Sequence, residues 1–240
     1  MEYRLDSHTH TLASGHAYNT INEMVQAAVD CGLDLLAITE HAMTLPGTCH
    51  ELYFHNLKVL PRKMKGIEVL FGVEVNLIDY EGKLDMKSSL LQRMDVTIAS
   101  MHLPCIAPGT VSQNTNAVVK AIENPDVNII GHPDDGRYPI DFDTITAAAK
   151  EHHVLLELNN NSLNPDCTRE NARENDIKML EFCMKYQTPI ILNSDAHWAE
   201  DIGNRCNSMP LVEELKFPEE LIINRSVEEY KKYINRFKNL

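Results

Sequence analysis

Residues 6–10 of this chain are Asp6-Ser7-His8-Thr9-His10, and His16 follows them after a short interval. The apolar-flanked segment 3–5 just before them predicts that the two histidines are the last residues of a first strand. Side chains two residues apart on a strand point to the same face. Two neutral imidazoles on one face are a suitable pair of ligands for a transition-metal ion. What this pair means depends on the residues at the ends of the other strands.

The composition is that of a globular protein. The chain has 240 residues, of which 43% are hydrophobic, and this length suits one large core, so we predict a single domain over residues 1–240. The net charge of −13 argues against nucleic acid as the main partner, because binding to phosphate backbones needs a basic face. The six scattered cysteines form no CxxC pair and are typical of a reduced protein.

No stretch of the sequence predicts a membrane or secretory segment. No apolar run approaches the roughly 20 residues of a membrane span, and no apolar signal segment follows Met1. We therefore expect a cytoplasmic protein with no membrane partner, whose oligomeric state the sequence leaves open.

Short apolar runs alternate with helical periodicity along the chain, which predicts a parallel α/β sheet. The seven predicted strands cover residues 3–10, 35–39, 68–75, 96–100, 127–130, 154–158 and 189–192. Helices are predicted after the capping box Thr20-x-x-Glu23, at 57–65, 87–94 and 114–123, after the cap Asp141, at 170–186 and 212–216, and after the box Ser226-x-x-Glu229. Residues 42–56 are expected to be irregular, and 221–223 to form a short strand.

Metal-type ligands stand at six of the seven predicted strand ends. In an open sheet a few strands supply a ligand site at a switch point, whereas in a closed barrel all strand ends meet at one mouth. The distribution therefore favours a closed barrel with a metal site at its C-terminal mouth. The nine candidate ligands are His8, His10, His16, His41, Glu74, His102, His132, Asp195 and His197.

Nine ligands exceed the three or four protein ligands that one zinc ion takes. They suffice for three ions if a carboxylate bridges two of them, and Glu74 and Asp195 are the candidates for that bridge. Each residue taken alone has an ordinary structural interpretation: a lone histidine such as His102 is more often hydrogen bonded than metal bound, and Asp195 can cap a turn. Metal pairs about 3.5–4 Å apart can activate a water for in-line displacement at phosphorus.

Two arginines follow strands at the mouth side, Arg137 after the fifth and Arg169 after the sixth. Arginine pairs with phosphate oxygens in a bidentate fork, so both are candidate substrate-binding residues, although a surface role is an equal alternative for each. Histidines outside the candidate set are expected to be solvated: His50 and His55 in the long loop, and His152 and His153 at the opposite face.

The motifs resemble those of the polymerase and histidinol phosphatase (PHP) superfamily, and in particular its compact stand-alone phosphatases. The resemblance runs from about residue 5 to the C-terminus and fills all nine ligand positions of the family. It rests on Asp6-Ser7-His8-Thr9-His10 with His16, Thr39-Glu40-His41, Gly72-Val73-Glu74, Ser100-Met101-His102, Gly131-His132-Pro133, Glu157-Leu158-Asn159-Asn160 and Asn193-Ser194-Asp195-Ala196-His197.

The resemblance implies a distorted (β/α)7 TIM-like barrel with a trinuclear site at its C-terminal mouth. One ion would lie among His8, His10, Glu74 and Asp195, a second among Glu74, His102 and His132, and a third among His16, His41 and His197. Zinc is the expected metal, with manganese or iron as alternatives. The implied activity is a metal-dependent phosphatase acting on a small phosphorylated substrate, with a metal-bound hydroxide as the catalytic group and no catalytic side chain besides the ligands.

Three other functions stay open at this point. One is a phosphodiesterase or 3′–5′ exonuclease of the same superfamily, which the acidic chain disfavours. Another is an amidohydrolase, although many binuclear members of that family carry a bridging lysine that has no counterpart here. The third is a non-catalytic metal-binding module, which gives no reason for retaining nine polar groups at one mouth.

Overall fold

The computed structural model describes residues 3–234. Seven parallel strands form a nearly closed barrel in the order β1-β2-β4-β5-β6-β7-β8, and β3 pairs antiparallel with β4. The strands are β1 (Leu5–Asp6), β2 (Leu35–His41), β3 (Lys63–Met64), β4 (Ile67–Asn76), β5 (Thr97–Ser100), β6 (Ile129–Ile130), β7 (Leu155–Asn159) and β8 (Ile190–Asn193). The predicted distorted TIM-like barrel is confirmed.

Helices cover the outside of this barrel, as the alternating pattern predicts. They are α1 (Ile21–Asp30), α2 (Glu51–Asn56), α3 (Ser88–Leu91), α4 (Val111–Ile122), α5 (Phe142–His152), α6 (Ala172–Tyr186), α7 (Ser208–Glu214) and α8 (Val227–Lys231). Short 3-10 turns lie at Leu12–Ser14, Leu57–Val59, Ala199–Asp201, Glu219–Leu221 and Ile223–Arg225. None of the helices within residues 3–234 combines the length and the apolar character needed to cross a membrane.

The helix ends follow the predicted caps. Thr20 and Glu23 form a reciprocal capping box at the start of α1. The Asp141 carboxylate accepts the backbone N–H of Asp143 at the start of α5. At α8 the Ser226 hydroxyl accepts the N–H of Glu229. These local signals place the starts of the three helices correctly.

The segment from residue 42 to residue 66 differs from the prediction. Residues 51–56, expected to be irregular, form α2, and His50 caps it by accepting the N–H of Leu52. The helix predicted at 57–65 is wrong, because Pro61 disfavours helical backbone before it and the chain then turns into the hairpin of β3 and β4. Lys65 and Gly66 both have positive φ, as a two-residue hairpin turn requires.

The barrel interior is apolar over its lower part and polar only at its mouth. The amino-terminal halves of the strands and the C-terminal segment form one buried apolar cluster at the floor of the barrel. Its members are Leu5, Leu35, Ala37, Leu70, Val96, Ile98, Ile129, Leu155, Ile191, Ile223, Val227, Tyr230 and Ile234. A second, larger cluster lies between the outer faces of the strands and the helices.

The join between β8 and β1 is not a continuous backbone ladder. A single parallel bridge, Thr9 with Ala196, links the two edges near the mouth. Lower down, the buried side chain of Asn224 occupies the gap: its amide donates to the carbonyls of Leu5 and Leu192, and its oxygen accepts the N–H of Leu192. The strand predicted at 221–223 is thus only one bridge, Ile190 with Ile222, between two 3-10 turns.

We predict that Asn224→Ala destabilises the barrel. The substitution leaves the N–H and the carbonyl of Leu192 without their amide partner in a buried position, whereas the Leu5 carbonyl still accepts from the Arg205 guanidinium. Each unpaired group costs about 1–3 kcal/mol. We expect the free energy of unfolding, measured with urea, to fall by about 2 kcal/mol or more. Asn164→Ala is the matched control, because Asn164 accepts one N–H in an exposed turn and surface changes stay within about 0.5 kcal/mol. Equal losses in both variants would contradict the role of Asn224.

Candidate metal centre

Inward-facing positions at the strand ends bring the predicted ligands together at the mouth. Alternation along β2 turns Leu35, Ala37 and His41 to the same side, and Glu74 lies beside His41 in the β2–β4 register. Of the nine predicted ligands, His16 is exposed and His102 and His197 are half-buried. The other six are buried: His8, His10, His41, Glu74, His132 and Asp195.

The Glu74 carboxylate lies at the centre of the cluster, with no exposed surface. One oxygen, Oε1, lies 2.9 Å from His132 Nε2 and 3.4 Å from His102 Nε2. The other, Oε2, lies 3.3 Å from His8 Nε2 and 3.6 Å from His10 Nε2. His41 Nδ1 lies 2.7 Å from the same Oε2. Each oxygen therefore faces a different set of imidazoles, two at Oε1 and three at Oε2, which is the arrangement that a bridging carboxylate needs.

The two oxygens of the Asp195 carboxylate have different kinds of partner. Its Oδ1 faces the ligand side, 3.3 Å from His10 Nε2 and 3.6 Å from His8 Nε2. Its Oδ2 accepts a hydrogen bond from the Arg169 guanidinium at 3.0 Å. Asp195 thus offers one oxygen to an ion, so the geometry favours Glu74 over Asp195 as the bridging carboxylate.

A group of three histidines lies nearer the rim. The His16 ring stacks on His41 at 4.9 Å and tilts toward His197 at 4.8 Å. The Nε2 atoms of His16 and His197 are 3.1 Å apart. His41 also approaches the centre, because its Nδ1 lies 2.7 Å from Glu74 Oε2. His41 therefore stands between the rim group and the central carboxylate.

Hydrogen bonds at Nδ1 orient five of the histidines so that Nε2 faces the cluster. His8 Nδ1 contacts Glu157 Oε1 at 2.7 Å, and His10 Nδ1 contacts the Ser14 hydroxyl at 3.2 Å. His102 Nδ1 contacts Asn76 Oδ1 at 2.7 Å. His16 and His197 use the main-chain carbonyls of Ser14 and Asp195. Such partners select the tautomer that offers Nε2 to a metal.

The donor set fits divalent transition metals. Among residues 3–234, four buried atoms of the centre have no hydrogen-bond partner: His8 Nε2, His10 Nε2, His41 Nδ1 and Glu74 Oε2. Unpaired buried polar atoms are costly, and here they point at one another across distances that a cation can bridge. Ligand atoms within 4.8 Å of one another define three overlapping groups: His8, His10 and Glu74; His41, Glu74 and His102; His10, His41 and His197.

Burial and mutual repulsion keep several of the imidazoles neutral, which is the form that binds a metal. Burial and the neighbouring His41 and His197 hold the pKa of His10 well below its usual range and lower that of His16 to about 4. Burial alone would raise the pKa of Glu74, but the surrounding histidines, His8 first, outweigh it and hold that pKa well below its usual range. Glu74 is therefore an anion.

The centre opens into a cavity of about 780 Å³. Both predicted substrate-binding arginines line it, together with apolar side chains such as Leu45, Met101 and Leu103. The Arg169 guanidinium is largely buried and also bonds Asn159 Oδ1 and the Ser162 hydroxyl. The Arg137 guanidinium lies at the rim in a two-point pair with the Asp135 carboxylate.

The backbone is strained at two of the predicted ligands. His132 has φ of 30° and Asp195 has φ of 55°, a region that non-glycine residues rarely occupy. Gly131 precedes His132 because a Cβ there would lie 2.3 Å from the Ser100 hydroxyl. The close packing of β5 and β6 thus requires a glycine beside this ligand.

Sequence reasoning assigned no role to Glu157, which lies on β7, the one strand without a predicted ligand. It is fully buried, and besides His8 it accepts the N–H of His132 and the side-chain amides of Asn159 and Asn193. Burial would raise the pKa of Glu157, but His8 outweighs it and lowers that pKa. The feature of the sequence that could have indicated a role for Glu157 is its position as a lone carboxylate inside the apolar run 154–158.

The other histidines lie outside the centre, as expected. His50 caps α2, and His55 contacts Glu51 and Arg93 near the barrel surface. His152 and His153 are exposed at the end of α5, where the His153 ring also stacks on Tyr233. None of the four comes into the groups described above.

A PHP domain model matches residues 6–164 of the chain. A protein of Caldicellulosiruptor saccharolyticus named probable phosphatase is 46% identical over 98% of this chain and 97% of its own length. A probable phosphatase of Clostridium novyi is 43% identical over 93% of this chain and 91% of its own.

The fold also resembles solved structures at low sequence identity. The histidinol phosphate phosphatase of Lactococcus lactis, solved with zinc, L-histidinol and phosphate, superposes with a TM-score of 0.64. It is 19% identical, and the match covers 90% of this chain and 95% of that one. At this identity the likeness shows the shared barrel fold.

Behind Arg169, the carboxyl of Asp176 is fully buried and has no hydrogen-bond partner among residues 3–234. Burial, together with the nearby Asp134 and Glu157, raises its pKa well above the usual value. The unfolded chain releases this proton near pH 4, whereas the native chain keeps it. The stability that this group contributes is therefore complete below about pH 4 and is lost as the pH rises toward the folded pKa.

We predict that Asp176→Asn gains stability relative to the wild type as the pH rises. The difference in free energy of unfolding should grow in favour of the variant by up to about 1.4 kcal/mol per pH unit. Urea unfolding of metal-free protein at pH 5, 6.5 and 8 measures it. Asp143→Asn is the control, because hydrogen bonds from Lys185 and Tyr186 lower the pKa of that exposed carboxyl. A pH-independent difference for Asp176→Asn would refute the prediction.

Proposed function

The chain belongs to the PHP domain family, and from that premise we propose that it is a metal-dependent phosphatase that hydrolyses a small phosphorylated molecule. Its relatives named as probable phosphatases support a phosphoric ester hydrolase. The observation that carries the proposal is the Glu74 carboxylate, which presents its two oxygens to different sets of imidazoles at the mouth of the barrel.

We infer that the centre holds three divalent ions. His8, His10, Glu74 and Asp195 would surround the first, Glu74, His102 and His132 the second, and His16, His41 and His197 the third. Bound there, the ions would neutralise phosphate charge and activate a water for attack at phosphorus. Zinc is the first candidate, since imidazole and carboxylate ligands suit it and the lactococcal structure contains it; manganese and iron are the alternatives.

The arginines would bind the phosphate. Arg169 keeps its charge because Asp195 and Asp134 outweigh the effect of burial on its pKa, and its hydrogen bonds hold it against the ligand Asp195 at the cavity wall. A phosphoryl oxygen bound there would lie next to the centre. Arg137 is farther out and already paired with Asp135, so its role would be to attract and orient the substrate at the rim.

The cavity favours a small substrate. Its apolar wall suits an uncharged organic portion, while the polar groups converge only around the centre. The chain has a net charge of −13, and an acidic protein repels long polyanions. A phosphomonoester of a small molecule therefore fits better than a nucleic acid.

The first test is metal content and its removal. We expect about three divalent ions per chain by elemental analysis, loss of 4-nitrophenyl phosphate hydrolysis on dialysis against a chelator, and recovery when zinc, manganese or iron is returned. Glu74→Gln should lose at least two ions and reduce kcat by at least about 100-fold, because the bridging anion is gone. Folded protein that hydrolyses the ester fully without metal would refute the proposal. Bis(4-nitrophenyl) phosphate and single-stranded DNA, run in parallel, test the phosphodiesterase alternative.

The arginines should differ in their effects. Hydrogen bonds to charged groups are worth about 1.5–3 kcal/mol, so Arg169→Lys, which loses the planar fork, should lower kcat/KM about 10- to 100-fold. Arg137→Lys should lower it less than about 10-fold and mainly through KM, because Asp135 already satisfies much of its charge. Steady-state kinetics of metal-loaded protein measures both. The reverse order of effects would assign phosphate binding to Arg137.

A further inference from the structure

Strand β7 contributes no proposed ligand, yet its inward side chains lie directly behind the centre. Glu157 and Asn159 alternate with the apolar residues of the strand, and both are fully buried. Asn159 bonds Asp195 Oδ2 and accepts from Arg169. The strand therefore supports groups on its two neighbours and on β1.

The Glu157 carboxylate contacts the two sides of the proposed centre through its two oxygens. Oε1 lies 2.7 Å from His8 Nδ1 and accepts the Asn193 amide at 2.8 Å. Oε2 accepts the main-chain N–H of His132 at 2.8 Å and the Asn159 amide at 2.9 Å. His8 and His132 face opposite oxygens of Glu74.

We propose that Glu157 is a positioning residue that selects the metal-binding tautomer of His8 and holds the strained backbone of His132. The proposal rests on the proposed function, because it assumes that His8 Nε2 binds an ion. A carboxylate only accepts hydrogen bonds. A neutral His8 beside it must therefore carry its proton on Nδ1, which leaves the Nε2 lone pair free for a metal.

The neighbouring amides cannot reverse their orientation. Asn193 Oδ1 accepts both the N–H and the hydroxyl of Ser7. Asn159 Oδ1 accepts the N–H of Ser162 and a guanidinium N–H of Arg169. Turning either amide would place two donors against each other, so both Asn side chains are obligate donors toward Glu157.

These contacts decide how glutamine would sit at position 157. Facing Oε2 are two obligate donors, the N–H of His132 and the Asn159 amide. Facing Oε1 are one obligate donor, Asn193, and the His8 ring nitrogen, which can accept as well as donate. The glutamine oxygen therefore takes the side of His132, which leaves one contact between donors, with Asn193, where the other orientation would leave two. In the favoured orientation its NH₂ donates to His8 Nδ1. His8 then carries its proton on Nε2 and cannot bind a metal there.

Glu157→Gln keeps the volume of the side chain and tests this mechanism. We expect it to weaken the tightest zinc-binding step about 10- to 100-fold, the usual effect of changing a group that hydrogen bonds to a ligand. Competition titration of zinc against a chelating dye measures the affinity, and elemental analysis measures the number of ions retained. Both readouts are independent of turnover.

Glu40→Gln is the matched control. Glu40 is another buried glutamate at a strand end, and it accepts from Thr11, Ser14 and Tyr53 without touching a proposed ligand side chain. A glutamine oxygen can still accept the N–H of Thr11 and the Ser14 hydroxyl, while its NH₂ donates to the two other hydroxyls, which can accept. We expect its zinc affinity to stay within about threefold of the wild type.

Nitrogen NMR of the His8 ring in zinc-treated protein reports the tautomer directly. We expect a metal-bound Nε2 with a protonated Nδ1 in the wild type, and a protonated, unbound Nε2 in Glu157→Gln. If Glu157→Gln does not fold, Glu157→Asp keeps an acceptor-only group, and we expect it to preserve the protonated Nδ1 while weakening zinc less than about tenfold.

The outcomes separate this inference from the proposed function. Wild-type protein that takes up no metal would overturn both. Wild-type protein that binds zinc, with Glu157→Gln matching it in affinity and tautomer, would overturn the role of Glu157 and leave the phosphatase proposal standing. Equal losses in Glu157→Gln and Glu40→Gln would also overturn it, because they would indicate a general effect of removing a buried charge.

Discussion

One buried anion organises this molecule: the carboxylate of Glu74, enclosed by imidazoles on both of its oxygens. A charge without water is tolerated only where other polar groups compensate it. The surrounding histidines do so, and their side chains in turn need acceptors for their second ring nitrogens. Ser14, Asn76 and Glu157 contact three of these second nitrogens. Buried polar residues around the centre thus serve to orient its histidines.

Apolar burial in the lower part of the barrel offsets the free-energy cost of this polar centre. The floor of leucine, isoleucine and valine side chains, closed by Tyr230 and Ile234 of the C-terminal segment, is one of two buried hydrophobic clusters, and the larger one lies under the helices. The polar cluster is confined to the carboxyl ends of the strands, where a parallel barrel directs its loops. Stability and chemistry thus occupy separate layers of the same strands.

Two features depart from regular barrel geometry. The β8–β1 join has one bridge and is otherwise made by side chains, those of Asn224, Asn193 and Asp6. The backbone is strained at His132 and Asp195. Hydrogen bonds from β7 and β8 hold the neighbouring groups in place: Glu157 accepts the N–H of His132, and Asn193 accepts the N–H of Ser7. Strain of this kind persists where the surroundings over-determine the backbone.

The sequence by itself determined the barrel and the set of residues at its mouth, because strand ends are local patterns: an apolar run stops and a His, Glu or Asp follows. It also placed the starts of α1, α5 and α8, since caps act within three residues. It misassigned the segment at 57–65, where the pairing of β3 with β4 overrides local helical character. Only the tertiary structure decided that Glu74 rather than Asp195 faces ligands through both oxygens, that Asn224 closes the barrel, and that Glu157 lies behind His8, 149 positions away in the sequence. These features depend on distances between side chains far apart along the chain, and no local periodicity encodes them.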